Sequence, residues 1–186
     1  MTEKSKDHRE LLQKLGIEEL NKMQQEARQA IAERDEVVLL SPTGTGKTLA
    51  FLLPLLDRLE PELEVVQALI LTPSRELALQ IEQVLRDMGS GFKVNAVYGG
   101  RSKYKDKQDL QHPPAILIGT PGRVADHFRR NPDLVAHVRT LVLDEFDKSL
   151  EVGFEAEMKE IVWNLPNVSR RILTSATELK NLPASD

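Results

Sequence analysis

Six short apolar segments, each ending in a polar turn, constrain the fold of this chain more than any other feature of its sequence. They occupy residues 37–40, 65–71, 94–98, 115–118, 141–143 and 171–173. Near-continuous apolar segments of this length predict strands that are buried on both faces, as in parallel sheets covered by crossover helices. We therefore predict an α/β fold: a doubly wound, mostly parallel sheet in a three-layer arrangement.

The segments between the predicted strands have helical patterns. Ser74 is a suitable N-cap, and apolar residues then recur on one helical face as far as Gly89, which is a suitable terminator. Residues 47–59 are almost wholly apolar, which predicts a helix packed deep against the sheet. The alternation of strands and helices agrees with a single domain built from crossover connections.

The composition narrows the class of protein. The chain has 186 residues, enough for one domain with a sizeable core. It contains no cysteine, which excludes disulfides and Cys-ligated metal centres, and its net charge of −4 does not by itself indicate a nucleic-acid binder. The polar first ten residues and the lack of a long apolar run predict neither a signal peptide nor a transmembrane helix, and hence a cytoplasmic location.

One turn has the composition of a phosphate-binding loop. It follows the first predicted strand, opens a helix and occupies residues 41–48. Its glycines let backbone N–H groups converge on phosphate oxygens, and the helix N-terminus adds positive potential. Lys47 can reach the β and γ phosphates, and Thr48 can place its hydroxyl on Mg²⁺. The predicted nucleotide-binding residues of this loop are Ser41, Pro42, Thr43, Gly44, Thr45, Gly46, Lys47 and Thr48.

Two adjacent carboxylates follow the fifth predicted strand. Asp144 is placed to hold the Mg²⁺ shell, partly through water, and Glu145 to face the γ phosphate and act as a general base toward water. Lys47, Asp144 and Glu145 are therefore the predicted catalytic residues, and Thr48 and Asp144 the predicted metal ligands. A solvated Asp-Glu turn is the alternative, which the phosphate-binding loop in the same chain disfavours.

Six short motifs occur in the order typical of one protein family. They are residues 41–48, Thr-Pro-Ser-Arg-Glu-Leu-Ala at 72–78, Gly-Gly at 99–100, Thr-Pro-Gly-Arg at 120–123, Asp-Glu-Phe-Asp at 144–147 and Ser-Ala-Thr at 175–177. Together they resemble the N-terminal RecA-like domain of DEAD-box ATP-dependent RNA helicases, over residues from about 16 to 177. The resemblance implies a RecA-like P-loop NTPase fold, with ATP and Mg²⁺ as cofactors and single-stranded or duplex RNA as a partner.

The resemblance also implies a residue that reads the base. In the region 16–24, Gln24 looks like the family's glutamine that contacts the adenine edge, and its amide offers adenine both a donor and an acceptor. Ile17 stands where the family usually has an adenine-stacking aromatic residue, so the implied contact is apolar. Phe146 replaces the family's alanine in the acidic motif, and its bulk must be accommodated by local packing.

Two further groups of residues acquire roles through the same resemblance. Asp147 is implied to pair with Ser175 or Thr177 and so to couple the nucleotide edge to closure on RNA. RNA contacts in this family go mainly to phosphates and sugar hydroxyls, which makes recognition largely independent of base sequence. The residues implied to line the RNA path are Pro73, Arg75, Gly100, Thr120, Gly122 and Arg123.

By the family's organisation, residues 1–180 form the first RecA-like domain, residues 181–186 begin an interdomain linker, and the second RecA-like domain is absent. Because the second domain supplies the family's arginine fingers, we expect this chain alone to bind nucleotide, to hydrolyse ATP very slowly and not to unwind duplexes. A monomer is also implied. Two alternatives stay open: an RNA- or protein-binding module with a vestigial nucleotide site, and another P-loop ATPase such as a DNA translocase.

Several conspicuous residues receive no role in a site. Trp163 lies at helical spacing from Met158 and Val162 and is predicted to be packed. The four histidines are scattered without metal-ligand spacing. Solvated faces are predicted for the basic residues Arg101, Lys103, Lys105, Lys107, Arg129, Arg130, Arg170 and Arg171, and for Tyr104 among them.

Overall fold

All six predicted strands are present in a computed structural model, which describes residues 8–42 and 46–177. They are β1 (Glu36–Leu40), β2 (Ala68–Leu71), β3 (Val94–Val97), β4 (Ile116–Gly119), β5 (Thr140–Leu143) and β6 (Arg170–Ser175). They form one sheet in the order β1-β6-β5-β2-β4-β3, and every neighbouring pair is parallel. The predicted doubly wound α/β fold is confirmed.

Helices connect the strands. They are α1 (His8–Lys14), α2 (Lys22–Glu33), α3 (Lys47–Asp57), α4 (Arg75–Met88), α5 (Lys103–Asp109), α6 (Pro121–Arg130), α7 (Phe146–Val152) and α8 (Glu155–Trp163), with a 3-10 turn at Pro132–Val135 after α6. The predicted start and end of α4 are confirmed, because the Ser74 side chain accepts a hydrogen bond from Leu77 N and Gly89 adopts a φ of 61°. Within the described ranges, no helix is long and apolar enough to cross a membrane.

The alternating residues of β2 show how the sheet is buried on both faces. Ala68 and Ile70 pack in the core formed with α3 and α4, whereas Leu69 and Leu71 pack in the core formed with α6 and α8. Side chains alternate between the faces of a strand, so a strand covered on both sides must be apolar at every position. This arrangement explains why the strands appear in the sequence as continuous apolar segments.

Two predictions about residues of α8 and β6 are wrong. Trp163 is 80% exposed, because it ends α8 on the side that faces away from the core. Arg170 is buried rather than solvated: its Nη1 donates to Ile31 O at 2.8 Å, which fixes the start of β6 against the end of α2. Neither outcome is visible in local periodicity, since both depend on which elements meet in space.

Candidate nucleotide and RNA site

The order of the strands divides the carboxyl edge of the sheet into two halves. In one half, β6 ends at Ser175, and Ser41 and Asp144 directly follow β1 and β5. In the other half, β2, β4 and β3 end at the turns that begin with Thr72, Thr120 and Tyr98. Ligands of doubly wound sheets bind at this edge. The predicted nucleotide residues therefore gather in the first half, which we call the nucleotide half. The predicted RNA residues gather in the second, which we call the RNA half.

Lys47 is the first residue of α3 and lies beneath the nucleotide half. Its side chain is only 6% exposed, and its ammonium nitrogen is 3.8 Å from Glu145 Oε1. Among the described residues, Lys47 Nζ has no hydrogen-bond partner. A buried ammonium without hydrogen bonds is costly, and an anion placed at the helix N-terminus would relieve that cost. This geometry fits a phosphate group.

A threonine links the two carboxylates after β5. Thr174 of β6 is fully buried, and its hydroxyl donates to Asp144 Oδ1 at 2.6 Å and accepts from Glu145 N at 2.9 Å. Burial raises the pKa of the Asp144 carboxyl above its ordinary value, while the hydrogen bond from Thr174 opposes that rise. Thr174 thus fixes both acidic residues, although sequence reasoning assigned it no role.

Glu145 is held in an unusual backbone conformation. Its φ is 49° and its ψ is 52°, and in the described part of the chain no other residue except glycine has a positive φ. This conformation costs about 1–3 kcal/mol for most residues and is found where the surrounding structure enforces it. The carboxylate lies between two lysines, 3.8 Å from Lys47 Nζ and 3.3 Å from Lys148 Nζ. In this conformation the carboxylate lies within ion-pair distance of the buried Lys47.

The oxygen donors of this half suit Mg²⁺. Asp144 is buried and Thr48 is half-buried next to Lys47, and carboxylate and hydroxyl oxygens are ligands that Mg²⁺ accepts. In residues 8–42 and 46–177, no group of three His, Cys, Asp or Glu side chains could enclose a metal ion. The residues present fit an ion that takes most of its ligands from phosphate oxygens and water.

Gln24 joins the start of α2 to the start of α3. Its Oε1 accepts from Asn21 N at 2.9 Å and its Nε2 donates to Gly46 O at 3.0 Å. Gly46 has a φ of 77°, which favours glycine, and a Cβ there would lie 2.3 Å from Gln24 Nε2 and would displace that amide. One amide hydrogen and one oxygen lone pair of Gln24 stay available for a base.

An open cleft of about 790 Å³ lies beside this contact. It is lined by Asn21, Lys22, Met23, Gln24, Leu40, Ser41, Pro42 and Gly46. Ile17 is partly buried against the apolar core and is not among the described residues that line the cleft. The predicted nucleotide residues Thr43, Gly44 and Thr45 lie outside the described residues, as does the predicted linker at 181–186.

The predicted RNA residues differ in exposure. Arg75 and Gly100 are exposed, Gly122 is half-buried, and Pro73 and Thr120 are buried. The Arg75 guanidinium lies over the Tyr98 ring, 5.1 Å from its centre, which connects the turn after β2 to the turn after β3. Arg123 is largely covered and uses its guanidinium inside the protein, donating from Nε to Tyr98 O at 3.1 Å and from Nη2 to Arg101 O at 2.6 Å.

The implied contact of the acidic motif with the end of β6 is present. Thr177 Oγ1 donates to Asp147 Oδ2 at 3.3 Å, and the Ser175 hydroxyl donates to Thr177 O at 2.8 Å rather than to Asp147. Phe146 is buried in the core formed with α6 and α8, so its bulk is accommodated there. The coupling role of Asp147, Ser175 and Thr177 stays a prediction.

Replacing Thr174 with valine tests the link between the carboxylates. We expect the free energy of unfolding to fall by about 1–3 kcal/mol, because valine leaves the buried Glu145 N–H without its acceptor. Thermal unfolding followed by circular dichroism measures the change. Thr72→Val is the matched control: Thr72 is equally buried, but its hydroxyl has no hydrogen-bond partner among the described residues. Equal destabilisation by both substitutions would contradict the assignment.

Comparisons with known proteins agree with this geometry. A model of the DEAD/DEAH box helicase family matches residues 21–183. The chain is 35% identical over 175 residues to the DEAD-box ATP-dependent RNA helicase CshA of Bacillus subtilis, and 38% identical over 171 residues to the ATP-dependent RNA helicase DeaD of Escherichia coli. These matches cover 93% and 90% of this chain but 35% and 27% of the relatives, so the chain spans about a third of their length or less.

A solved structure gives the same result for the fold. A DEAD box protein from the hyperthermophile Methanococcus jannaschii matches with a TM-score of 0.85 and 29% sequence identity, over 91% of this chain and 47% of that chain. The family model spans most of the sequence, and the strand-end motifs lie on the fold that the family uses. This chain therefore belongs to the DEAD/DEAH box helicase family and corresponds to its N-terminal RecA-like domain.

Proposed function

We propose that this chain is the ATP-binding half of an ATP-dependent RNA helicase. In the whole protein, ATP binding and hydrolysis would be coupled to RNA binding without base specificity and to local unwinding of duplexes. One observation carries the proposal: the buried Lys47 ammonium, which has no hydrogen-bond partner among the described residues, lies at the N-terminus of α3 and faces Glu145 beside Asp144. The names of the relatives, which are ATP-dependent RNA helicases, support the same activity.

Each residue of the nucleotide half has a chemical task in this proposal. Lys47 donates to β and γ phosphate oxygens, and Glu145 orients the attacking water and accepts its proton. Thr48 and Asp144 contribute oxygen ligands to Mg²⁺, with water completing part of the shell. Mg²⁺, when bound, neutralises charge that develops on the phosphates. The strained backbone at Glu145 holds the carboxylate in this position before ATP binds, so that it would face the phosphates when they arrive.

The second half of the carboxyl edge would hold RNA. Arg75, Gly99 and Gly100 are exposed there, and glycines allow a phosphate to approach backbone N–H groups closely. Such contacts read the backbone and not the bases. The second RecA-like domain would complete both sites, because catalytic arginines supplied from another domain raise phosphoryl-transfer rates by several powers of ten. The chain alone would therefore bind nucleotide, turn it over very slowly and leave duplexes intact.

A titration with a fluorescent adenine nucleotide in Mg²⁺ tests the proposal, with ADP and GDP as competitors and ATP hydrolysis measured on the same sample. We expect ADP to compete much better than GDP and turnover to be very slow even with RNA. Absence of nucleotide binding would contradict the proposal and favour a module with a vestigial site. Robust RNA-stimulated turnover would contradict the need for a second domain, and preference for single-stranded DNA over RNA would indicate a DNA translocase.

Gln24→Glu tests the base-reading step through the preference between two bases, because it also removes the donation of Nε2 to Gly46 O. Glutamate keeps the acceptor for Asn21 N, and thus the cap of α2, but loses the amide donor. We expect the preference for ADP over GDP to fall by roughly five- to tenfold, the value of one hydrogen bond, in the competition assay. Gln29→Glu, with the same charge change at an exposed site of α2, is the control. An unchanged preference in Gln24→Glu would show that Gln24 serves only the helix cap and Gly46.

A further inference from the structure

One acidic residue of α5 is buried although its sequence neighbours are solvated. Lys103, Tyr104, Lys105 and Lys107 are exposed as predicted, whereas the Asp106 side chain is completely inaccessible. The prediction of a solvated Arg101 is wrong, because its side chain is half-buried. A buried carboxylate is strongly unfavourable unless cations or hydrogen-bond donors surround it. Asp106 therefore requires partners, and the structure supplies them from outside α5.

Three side chains converge on the Asp106 carboxylate. Its Oδ1 is 3.0 Å from Arg101 Nη1, and its Oδ2 is 2.9 Å from His127 Nε2 and 3.9 Å from Arg123 Nε. Arg101 belongs to the turn after β3, and the other two belong to α6. The buried Asp106 carboxylate thus connects the turn after β3 to α6, which follows β4, and both of these segments contain predicted RNA residues.

The two arginines in turn hold the backbone of residues 98–101, which we call the Gly-Gly loop. Arg123 donates to Tyr98 O and Arg101 O, the two ends of the loop. Arg101 Nη1 also donates to Ala96 O in β3 at 3.0 Å. Between these anchors, Gly100 adopts a φ of 86°, and both glycines are exposed. The loop conformation is therefore held by two guanidinium groups that both face Asp106, and Arg101 Nη2 donates in addition to the Asp109 carboxylate.

We propose that Asp106 is a positioning residue for RNA binding: it orients Arg101 and Arg123 so that the Gly-Gly loop presents its backbone to an RNA phosphate. The inference rests on the proposed RNA-binding function. It changes the role implied for Arg123, which acts through the loop and does not contact RNA, since its side chain is only 9% exposed and donates to two loop carbonyls. Direct phosphate contact is left to Arg75 and the loop N–H groups.

Substitutions at Asp106 distinguish positioning by charge from simple packing. Asparagine has the shape of aspartate without its charge, whereas glutamate keeps the charge and adds a methylene. If Asp106 positions the arginines electrostatically, Asp106→Asn lowers RNA affinity by roughly tenfold and Asp106→Glu retains more of it. If Asp106 only fills space, the order is reversed, because asparagine fits and glutamate overpacks.

The measurement is the fluorescence anisotropy of a labelled ten-nucleotide oligouridine, with ADP affinity determined on the same samples at a temperature where every variant is folded. We expect ADP affinity to be unchanged in all variants. Asp87→Asn, the same change at an exposed position of α4, is the control and should bind RNA as the wild type does. Wild-type affinity in Asp106→Asn would overturn the inference alone. Failure of the wild type to bind RNA, with ADP binding intact, would overturn the RNA half of the proposed function and the inference with it.

A second variant keeps the test decisive if Asp106 variants do not fold. Arg123→Lys retains a positive charge but lacks the planar fork that donates to both Tyr98 O and Arg101 O. Positioning through the loop predicts a loss of RNA affinity comparable to that of Asp106→Asn, together with faster amide hydrogen exchange at residues 98–101. Wild-type affinity in Arg123→Lys would show that a point charge suffices and would overturn the inference.

Discussion

Replacing Lys47 with alanine is expected to remove most of the nucleotide affinity of this chain without destabilising it. The lost interaction is a charge-assisted contact with phosphate, worth about 2–3 kcal/mol, so the dissociation constant for ADP should rise roughly 30- to 150-fold. The fold should tolerate the change, because Lys47 Nζ makes no hydrogen bond among the described residues and Glu145 keeps Lys148 at 3.3 Å. Titration of a fluorescent adenine nucleotide, with circular dichroism melting in parallel, measures both quantities.

Lys159→Ala is the matched control for this experiment. Lys159 lies on α8, outside the residues predicted to bind nucleotide or RNA, and its ammonium pairs with Glu155 at 3.1 Å on the same partly exposed helix face. We expect this variant to bind nucleotide as the wild type does. Two results would contradict the assignment of Lys47: full affinity in Lys47→Ala, or a loss of affinity matched by an equal loss in thermal stability.

Gly119→Ala is expected to destabilise the domain strongly. Gly119 ends β4 between β2 and β3, and a Cβ there would lie 2.4 Å from Val124 Cγ2 and 2.9 Å from the backbone oxygen of Val97. Because backbone cannot yield as a side chain does, we expect a cost of about 2–3 kcal/mol. For a domain of this size that corresponds to a fall of roughly 5–10 °C in Tm. Circular dichroism is the suitable probe, since Trp163, the one tryptophan of the sequence, is too exposed to report on the core.

Gly122→Ala is the control, since it should not lower the Tm. Gly122 lies in the first turn of α6, and a Cβ there would lie 3.6 Å from Phe154 Cε1, which is ordinary contact. Alanine is favoured over glycine in helices by up to about 1 kcal/mol, so Tm should stay the same or rise. If both substitutions lowered Tm equally, the loss at Gly119 could not be attributed to close packing at the end of β4.

Most of the fold could be predicted because its signals are local. The strands are apolar at successive positions, and α4 has both its cap at Ser74 and its terminator at Gly89 in the sequence. Predictions failed where the outcome depends on distant contacts. Trp163 has helical spacing with core residues but ends its helix beyond the packed face, and Arg170 is buried by a carbonyl contributed by α2.

The same distinction applies to the candidate site. The positions of Lys47 and of the carboxylates after β5 could be predicted, because each belongs to a motif that follows an apolar strand, and their roles stay predictions. The contacts of Thr174 and Asp106 could not be predicted, since their partners Asp144 and His127 lie 30 and 21 residues away in the chain, respectively. A signal for Asp106 does exist in hindsight, as an acidic residue directly between two lysines in α5, but the same pattern also describes an ordinary solvated helix face.

By itself, the sequence determined that this protein forms a parallel α/β sheet with a glycine-rich turn and two adjacent carboxylates after its strands. Only the tertiary structure decided the order β1-β6-β5-β2-β4-β3, in which the last two strands insert between the first two. The physical reason is that strand order depends on how crossover helices pack on the two faces of the sheet, which no single segment encodes. That order places Glu145 beside Lys47, which precedes it by about a hundred residues, and separates the nucleotide half of the edge from the RNA half.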